Sequence, residues 1–264
     1  DWGATDSWQG ATEGTRSYTH RVIQSPEDWY KLPVLDPYRG ALADQLACLN
    51  LLVSELQPEG VPVLQTIFSP LSQAKNLVGG EALLVHLRQY PEAVKAGLKA
   101  ITESTLRFMY AALSTGIDGI FYAVQHASYK LLSEAEYQDF ARSDDLQILA
   151  ALDQTWLNIL HLHGEQIQFD LFCDYPIQVI NWHDRDTAPT LPQGLEKFSG
   201  VVCGGLQRER TMVLGNPVSV TAEAHDAIQA TKGQRFILGT GCVLPTIAPR
   251  ANILAARQSV GKES

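Results

Sequence analysis

The strongest constraint on the fold is an alternation of short apolar segments with amphipathic helical segments, which continues from Val61 almost to the end of the chain. Strands this apolar leave no face for water, and that is typical of a parallel sheet covered by helices. The alternation therefore predicts an α/β fold. Six segments have the length and composition of buried strands: 61–68, 119–124, 157–163, 177–181, 200–204 and 235–239.

The segments between these strands carry helix start signals and apolar residues at helical spacing. Ser25-Pro26-Glu27-Asp28 has an N-cap, a proline and acids in the first turn, and Ser133 to Glu136 reads as a capping box. Residues 1–20 are rich in Gly, Thr and Ser with interspersed aromatic residues, which predicts an ordered loop or a short hairpin. We expect the longer helices over 37–57, 71–78, 91–113, 133–152, 219–231 and 249–260.

A closed barrel of this class, the (β/α)₈ or TIM-like barrel, needs eight parallel strands, two more than the sequence predicts. The unbroken alternation from Val61 onward leaves no room for the missing pair inside the chain. We therefore expect residues 1–264 to form one domain, a TIM-like barrel that lacks its first strands, with those strands preceding Asp1.

Net charge indicates which classes of partner to exclude, and cysteine content indicates the redox compartment. The chain has 20 basic and 29 acidic residues and a net charge of −9, which argues against nucleic acid and anionic membrane surfaces. No apolar run approaches the roughly 18 residues of a membrane span. The four cysteines form no CxxC pair, which predicts a reduced, cytoplasmic protein. The sequence is compatible with a homodimer.

The candidate site lies at the end of the segment Leu157 to Arg185. His161 and His163 are two residues apart at the end of a predicted strand, and because side chains in a strand alternate, both imidazoles face the same side. Gly164 ends the strand. In parallel α/β proteins ligands bind at this carboxyl end of the strands, so the sequence predicts the active site here.

Polar residues also follow the neighbouring strand ends and Gly164. The hypothesis that these residues belong to the active site competes with a plainer interpretation. In that interpretation Glu165 is a solvated loop acid, and Arg185 is exposed beside a capped loop that includes Asp184. The predicted catalytic residues are His126, Glu165 and His183. The predicted substrate-binding residues at these ends are Gln125, Trp182 and Arg185.

Several blocks, in order, resemble the uroporphyrinogen decarboxylase superfamily, which includes a decarboxylase of haem synthesis and zinc-dependent methyltransferases that handle methylated corrinoids. The resemblance covers about Arg21 to Val260. The blocks that carry it are SPEDWYKL, SPLSQAKNLVGG, YPEAVKAGLKAITESTLRF, GIDGIFYAVQHASYKLLSEAEYQDF, ILHLHG, GGLQRERTMVLGNP and FILGTGCVLPTIAPRANILAA.

The resemblance implies a zinc site. Zinc methyltransferases of the family carry a His-x-Cys at one strand end and a Cys after the last strand, and these positions match His161, His163 in place of the first Cys, and Cys242. Two imidazoles and a thiolate with an open fourth position are the ligand set of a catalytic zinc ion. For Cys242 to reach across the mouth, we expect Gly239 and Gly241 to supply the turn. Without metal, the histidines would bind substrate directly.

The same resemblance leaves the reaction open. The decarboxylase has a tyrosine where this chain has Asn76, which we predict to bind substrate, and a histidine at or next to Thr240. The favoured function is zinc-assisted methyl transfer to a thiol from a methylated corrinoid or small molecule. The alternative is cofactor-free decarboxylation of uroporphyrinogen or a related compound. A non-catalytic fragment and, more distantly, an HxH metallohydrolase complete the hypotheses. The expected partner is a small-molecule, tetrapyrrole or corrinoid substrate.

Overall fold

The computed structural model describes residues 1–260 and begins with an antiparallel hairpin, β1 (Thr5–Trp8) and β2 (Arg16–His20). The centre of the molecule is a six-stranded parallel sheet whose strands are adjacent in chain order. These strands are β3 (Leu64–Phe68), β4 (Gly119–Val124), β5 (Ile159–Leu162), β6 (Val179–Trp182), β7 (Val201–Leu206) and β8 (Phe236–Thr240). The six predicted strands and the α/β class are confirmed.

Residues 1–260 contain nine α-helices: α1 (Gly40–Leu56), α2 (Pro70–Val78), α3 (Gly80–Gln89), α4 (Pro91–Leu113), α5 (Glu134–Tyr137), α6 (Ser143–Ala150), α7 (Leu191–Lys197), α8 (Pro217–Thr231) and α9 (Arg250–Gln258). The sequence did not predict α3, because Gly79-Gly80 was interpreted only as a stop; Gly79, at φ 101°, ends α2 and α3 starts at once. It also did not predict the short α7, which a capping box at Thr190 begins.

The sheet has the TIM-like arrangement, with β3 and β8 as its end strands. Within residues 1–260 no further strand pairs with either of them. The register places Phe68 and Ile237 on the inner face of these two strands, where they are 37% and 39% exposed. The inner face is therefore exposed at the two end strands, whereas His161 of β5 and Asn181 of β6 are buried on the same face.

The outer face of the sheet packs against the helices. Ile120, Leu160, Ile180 and Val202, on four successive strands, are completely buried there. Parallel strands that are covered in this way need apolar residues on their outer face, which explains why the strand segments are so apolar in sequence. Within the described residues, no helix has the length and apolarity that crossing a membrane requires.

The N-terminal segment contacts the rest of the molecule at two distant places. The Asp1 carboxylate accepts hydrogen bonds from the backbone N–H groups of Ala41 and Leu42 at the start of α1. The hairpin tip lies at the loops that follow β7 and β8. There Thr246 donates its backbone N–H to the Thr12 carbonyl at 2.7 Å, and Glu13 pairs with Arg208 at 2.5 Å.

Candidate metal centre

Four side chains that can bind a metal converge at the carboxyl ends of the strands. His161, His163, His183 and Cys242 each offer one ligand atom, and these atoms all lie within 4.8 Å of one another. His161 is buried and the other three are half-buried. The structure thus brings together the three predicted ligands and adds His183, which the sequence suggested only as a catalytic residue.

The spacing of the ligand atoms suits a tetrahedral ion. Zinc–nitrogen and zinc–sulfur bonds of about 2.1 and 2.3 Å put neighbouring ligand atoms about 3.4 to 3.8 Å apart in a tetrahedron. His163 Nδ1 lies 3.4 Å from His183 Nε2 and 3.5 Å from Cys242 Sγ. Small rotations of the side chains would bring the remaining pairs to the same spacing. The donor set, imidazole nitrogen and thiolate sulfur, also fits zinc.

Strand geometry positions the two histidines of β5. His161 lies in register with Ala123 of β4 and Asn181 of β6, and its ring stacks on Phe121 with the ring centroids 5.5 Å apart. His163 follows the strand, and its backbone N–H donates to the Val124 carbonyl at 2.9 Å. This hydrogen bond continues the pairing of β4 and β5, so both imidazoles project to the inner face, as strand alternation requires.

Cys242 reaches the cluster because Gly241 permits a close approach between two strand ends. A Cβ atom at Gly241 would lie 2.7 Å from the His183 Cα and 2.8 Å from the Trp182 carbonyl oxygen. The expectation that glycines at 239 and 241 supply an unusual backbone turn is therefore corrected, since neither has a positive φ. Gly241 instead removes the side chain that would separate the loop after β8 from the end of β6.

Burial keeps the three imidazoles neutral and the thiol protonated in the metal-free protein. It lowers the pKa of His161 to about 3 and that of His163 to about 4, and it also lowers the pKa of His183. It raises the pKa of the Cys242 thiol. Neutral imidazoles have the lone pairs that a metal requires.

Two cations, Arg208 and Lys75, lie beside the cluster and differ in their partners. Arg208, whose charge acts on all four cluster residues, is paired with Glu13 of the hairpin. Burial lowers the pKa of both His126 and His163, and the charge of the half-buried Lys75 of α2 lowers it further. Its ammonium donates to Gln125 Oε1 at 2.8 Å, and it has no carboxylate partner within residues 1–260. The Lys75 side of the cluster is therefore electropositive.

Comparisons with known proteins identify the family of the chain. The family model for uroporphyrinogen decarboxylase (URO-D) matches residues 10–262. The chain belongs to the uroporphyrinogen decarboxylase family. Two similar solved structures are a methyltransferase from Methanosarcina mazei, at TM-score 0.83 and 19% identity, and a B12-independent methionine synthase from Shewanella sp. W3-18-1 in complex with selenomethionine, at TM-score 0.63 and 10% identity. Each match covers 98% of this chain and 75% of the other. No curated protein was found to match.

The structure corrects the prediction that Trp182 binds substrate. The predicted strand ended at 181, but β6 continues through Trp182, and strand alternation turns this side chain to the outer face. Trp182 is completely buried, packs on Phe169 and donates its indole N–H to the Pro189 carbonyl at 2.8 Å. It belongs to the core between the sheet and α7.

Arg185 and Glu165 are also placed differently from the prediction. The Arg185 guanidinium donates hydrogen bonds to the Gly205 carbonyl at 2.9 Å and to the Asp226 carboxylate at 2.8 Å. It therefore links the loop after β6 to α8 instead of facing a substrate. Glu165 has a side chain that is 63% exposed and paired with Lys130, which lowers its pKa. An exposed carboxylate held ionised by an ammonium group is a poor general acid or base.

The remaining predicted residues, Gln125, His126 and Asn76, lie directly after β4 or on α2. His126 is buried, its Nδ1 has no hydrogen-bond partner within the described residues, and burial lowers its pKa to about 4. Gln125 orients Lys75. Asn76 is half-buried on α2, and its backbone carbonyl accepts from Arg21 at 2.8 Å. Roles of these residues in substrate binding or catalysis stay predictions.

Proposed function

We propose that this member of the uroporphyrinogen decarboxylase family transfers a methyl group to a thiol at a zinc ion held by His161, His163 and Cys242. The supporting observation is the convergence of one thiol and three imidazoles within 4.8 Å at the carboxyl ends of the strands. A decarboxylase that uses no cofactor has no need of such a ligand set. The donor is a methylated corrinoid or another methylated small molecule.

The chemistry of the site suits a thiol acceptor. A zinc ion with three protein ligands lowers the pKa of a bound thiol, which makes the sulfur a nucleophile at neutral pH. His183, which lies beside these three residues, would then contact the acceptor, and this is the catalytic role predicted for it. Lys75 favours an acceptor that carries a negative group, because it is a half-buried cation beside His163.

The similar structures support the same reaction type. One is named as a methyltransferase and the other as a methionine synthase, and both share the fold over nearly the whole of this chain. The second is named as independent of B12, so the likeness favours methyl transfer without selecting between a corrinoid donor and another methylated compound.

The metal content of the purified protein tests the proposal first. We expect about one zinc per chain, and we expect H161A, H163A and C242S each to lose zinc to a chelator at concentrations that leave the wild type loaded. Matched controls are H225A on α8 and C48S on α1, because both residues are exposed and lie outside the cluster. Control variants should retain zinc as the wild type does.

Turnover then separates the two reactions. Zinc-loaded protein should methylate a small thiol from methylcobalamin or from a methylated small-molecule donor, and the C242S variant should lose this activity. Protein without zinc that releases carbon dioxide from uroporphyrinogen, with unchanged rate in C242S, would instead establish the decarboxylase alternative.

A further inference from the structure

Asn181 is a buried residue whose amide makes three hydrogen bonds within residues 1–260, all of them to the metal centre or to the strands that carry it. It lies on β6 in register with His161, and it is 3% exposed. Its Oδ1 is 2.6 Å from His161 Nδ1. Its Nδ2 donates to the Cys203 carbonyl of β7 at 2.9 Å and to the Thr240 carbonyl at the end of β8 at 3.1 Å.

These contacts determine which way the amide points. A backbone carbonyl can only accept, so the two carbonyls require the NH₂ group, which has two hydrogens to donate. The amide oxygen must therefore face His161. Because an amide oxygen accepts and does not donate, His161 Nδ1 carries the proton, and the lone pair of the neutral ring lies on Nε2.

We propose that Asn181 is a positioning residue of the metal centre: it selects the Nδ1–H tautomer of His161, so that Nε2 is the ligand atom. The part of this inference that concerns metal binding rests on the proposed function. Asn181 also joins two ligand-bearing strands, since Thr240 lies two residues before Cys242 and its hydroxyl donates to the Cys242 carbonyl at 2.6 Å.

An amide serves this purpose better than a carboxylate would. Aspartate at position 181 could accept from His161, but its second oxygen would face two carbonyl oxygens at hydrogen-bonding distance with no proton between them. The neutral amide also adds no negative charge, so the site retains a larger net positive charge once a divalent cation binds. The sequence position of Asn181, within an apolar strand, gave no indication of this role.

The tautomer can be measured on the metal-free wild type by ¹⁵N NMR of the histidine rings. We expect His161 to show a protonated Nδ1 and an unprotonated Nε2 at neutral pH. In N181A the Nδ1–H preference should be lost, with Nε2–H becoming populated. Zinc affinity, measured by chelator competition, should fall about 10- to 100-fold in N181A, which is the usual effect of removing the partner of a histidine ligand.

N158A is the matched control. Asn158 is equally buried, at 1% exposure, but it precedes β5 at the amino end of the sheet, where its amide contacts Thr155 and Ile120. It should lose stability without a change in the His161 tautomer or in zinc affinity. An Nε2–H tautomer in the wild type, or equal loss of affinity in both variants, would overturn the inference.

The two proposals fail in different ways. A wild type that binds no zinc but shows the Nδ1–H tautomer would refute the zinc proposal and retain the positioning of His161 by Asn181. The tautomer of the wild type requires no variant, so an Nε2–H tautomer there would overturn the inference even where N181A does not fold.

Discussion

At the scale of single residues, Lys75 determines the charge on one side of the cluster. Its ammonium is half-buried, and burial together with the nearby Arg21 lowers its pKa. A cation in that position loses hydration, and within residues 1–260 its one hydrogen bond is the one that it donates to the uncharged amide of Gln125. Binding of an anionic group would compensate this loss, because hydrogen bonds between charged groups are the strong ones.

We therefore expect K75M to raise the KM for thiol acceptors that carry a carboxylate or sulfonate by about 10- to 100-fold, the cost of losing one charged hydrogen bond. The KM for a neutral thiol should stay unchanged. Steady-state kinetics with paired acceptors measure the difference, and K99M, at an exposed position of α4, is the control. Equal effects on charged and neutral acceptors would contradict the assignment.

At the scale of elements, β6 and α7 are joined by one large contact. The indole of Trp182 packs so closely on α7 that a Cβ atom at Gly194 would lie 2.6 Å from it. Helix α7 can therefore approach the sheet only because Gly194 has no side chain. This packing supports β6, the strand that carries Asn181 and leads into His183.

W182A should lower the free energy of unfolding by about 3 to 5 kcal/mol, as expected for removing a buried aromatic side chain. G194A should lower it by about 1 to 3 kcal/mol through overpacking against the same ring. Urea denaturation measures both. The matched control is W8A, since Trp8 is 62% exposed in the hairpin and should change stability by less than about 0.5 kcal/mol. A stable W182A variant with impaired substrate binding would restore the rim assignment.

At the scale of the whole molecule, a buried acid connects β4 to the helices that cover it. The Asp145 carboxylate accepts hydrogen bonds from Tyr122 and Tyr137 at 2.6 Å and from Tyr175 at 3.1 Å. Burial outweighs these hydrogen bonds and raises the pKa of Asp145 from 3.8 to about 6. The folded state therefore binds the proton more tightly than the unfolded state does.

Stability should depend on pH accordingly. The contribution of Asp145 to the free energy of unfolding is fully present below about pH 4. It falls as the pH rises to about 6, by a total on the order of 3 kcal/mol, and does not change further above that pH. D145N should remove this part of the slope. Asp184 has the same direction of shift, so the measured quantity is the difference between wild type and D145N in urea denaturation from pH 4 to 7 in zinc-free buffers. Parallel pH profiles of the two proteins would contradict the prediction.

The sequence by itself determined the α/β class, six strands and the common face of His161 and His163. These follow from apolar segment length and from strand alternation, which are local properties of the chain. The predicted end of β6 was one residue too early, and that error moved Trp182 from the core to the predicted rim, because successive residues along a strand face opposite sides.

Only the tertiary structure decided which groups meet at the site. Cys242 is 79 residues from His163 in sequence, and its place in the candidate ligand set came from the family resemblance, not from any local pattern. The convergence of His183 with the other ligands, the contacts of the Asn181 amide and, within residues 1–260, the lack of a carboxylate partner for Lys75 depend on strand register and on the packing of loops from different strands. Arg185 shows the same dependence, since its partners on α8 are about 40 residues away. Contacts between distant segments are set by the assembled sheet, so no local pattern in the chain encodes them.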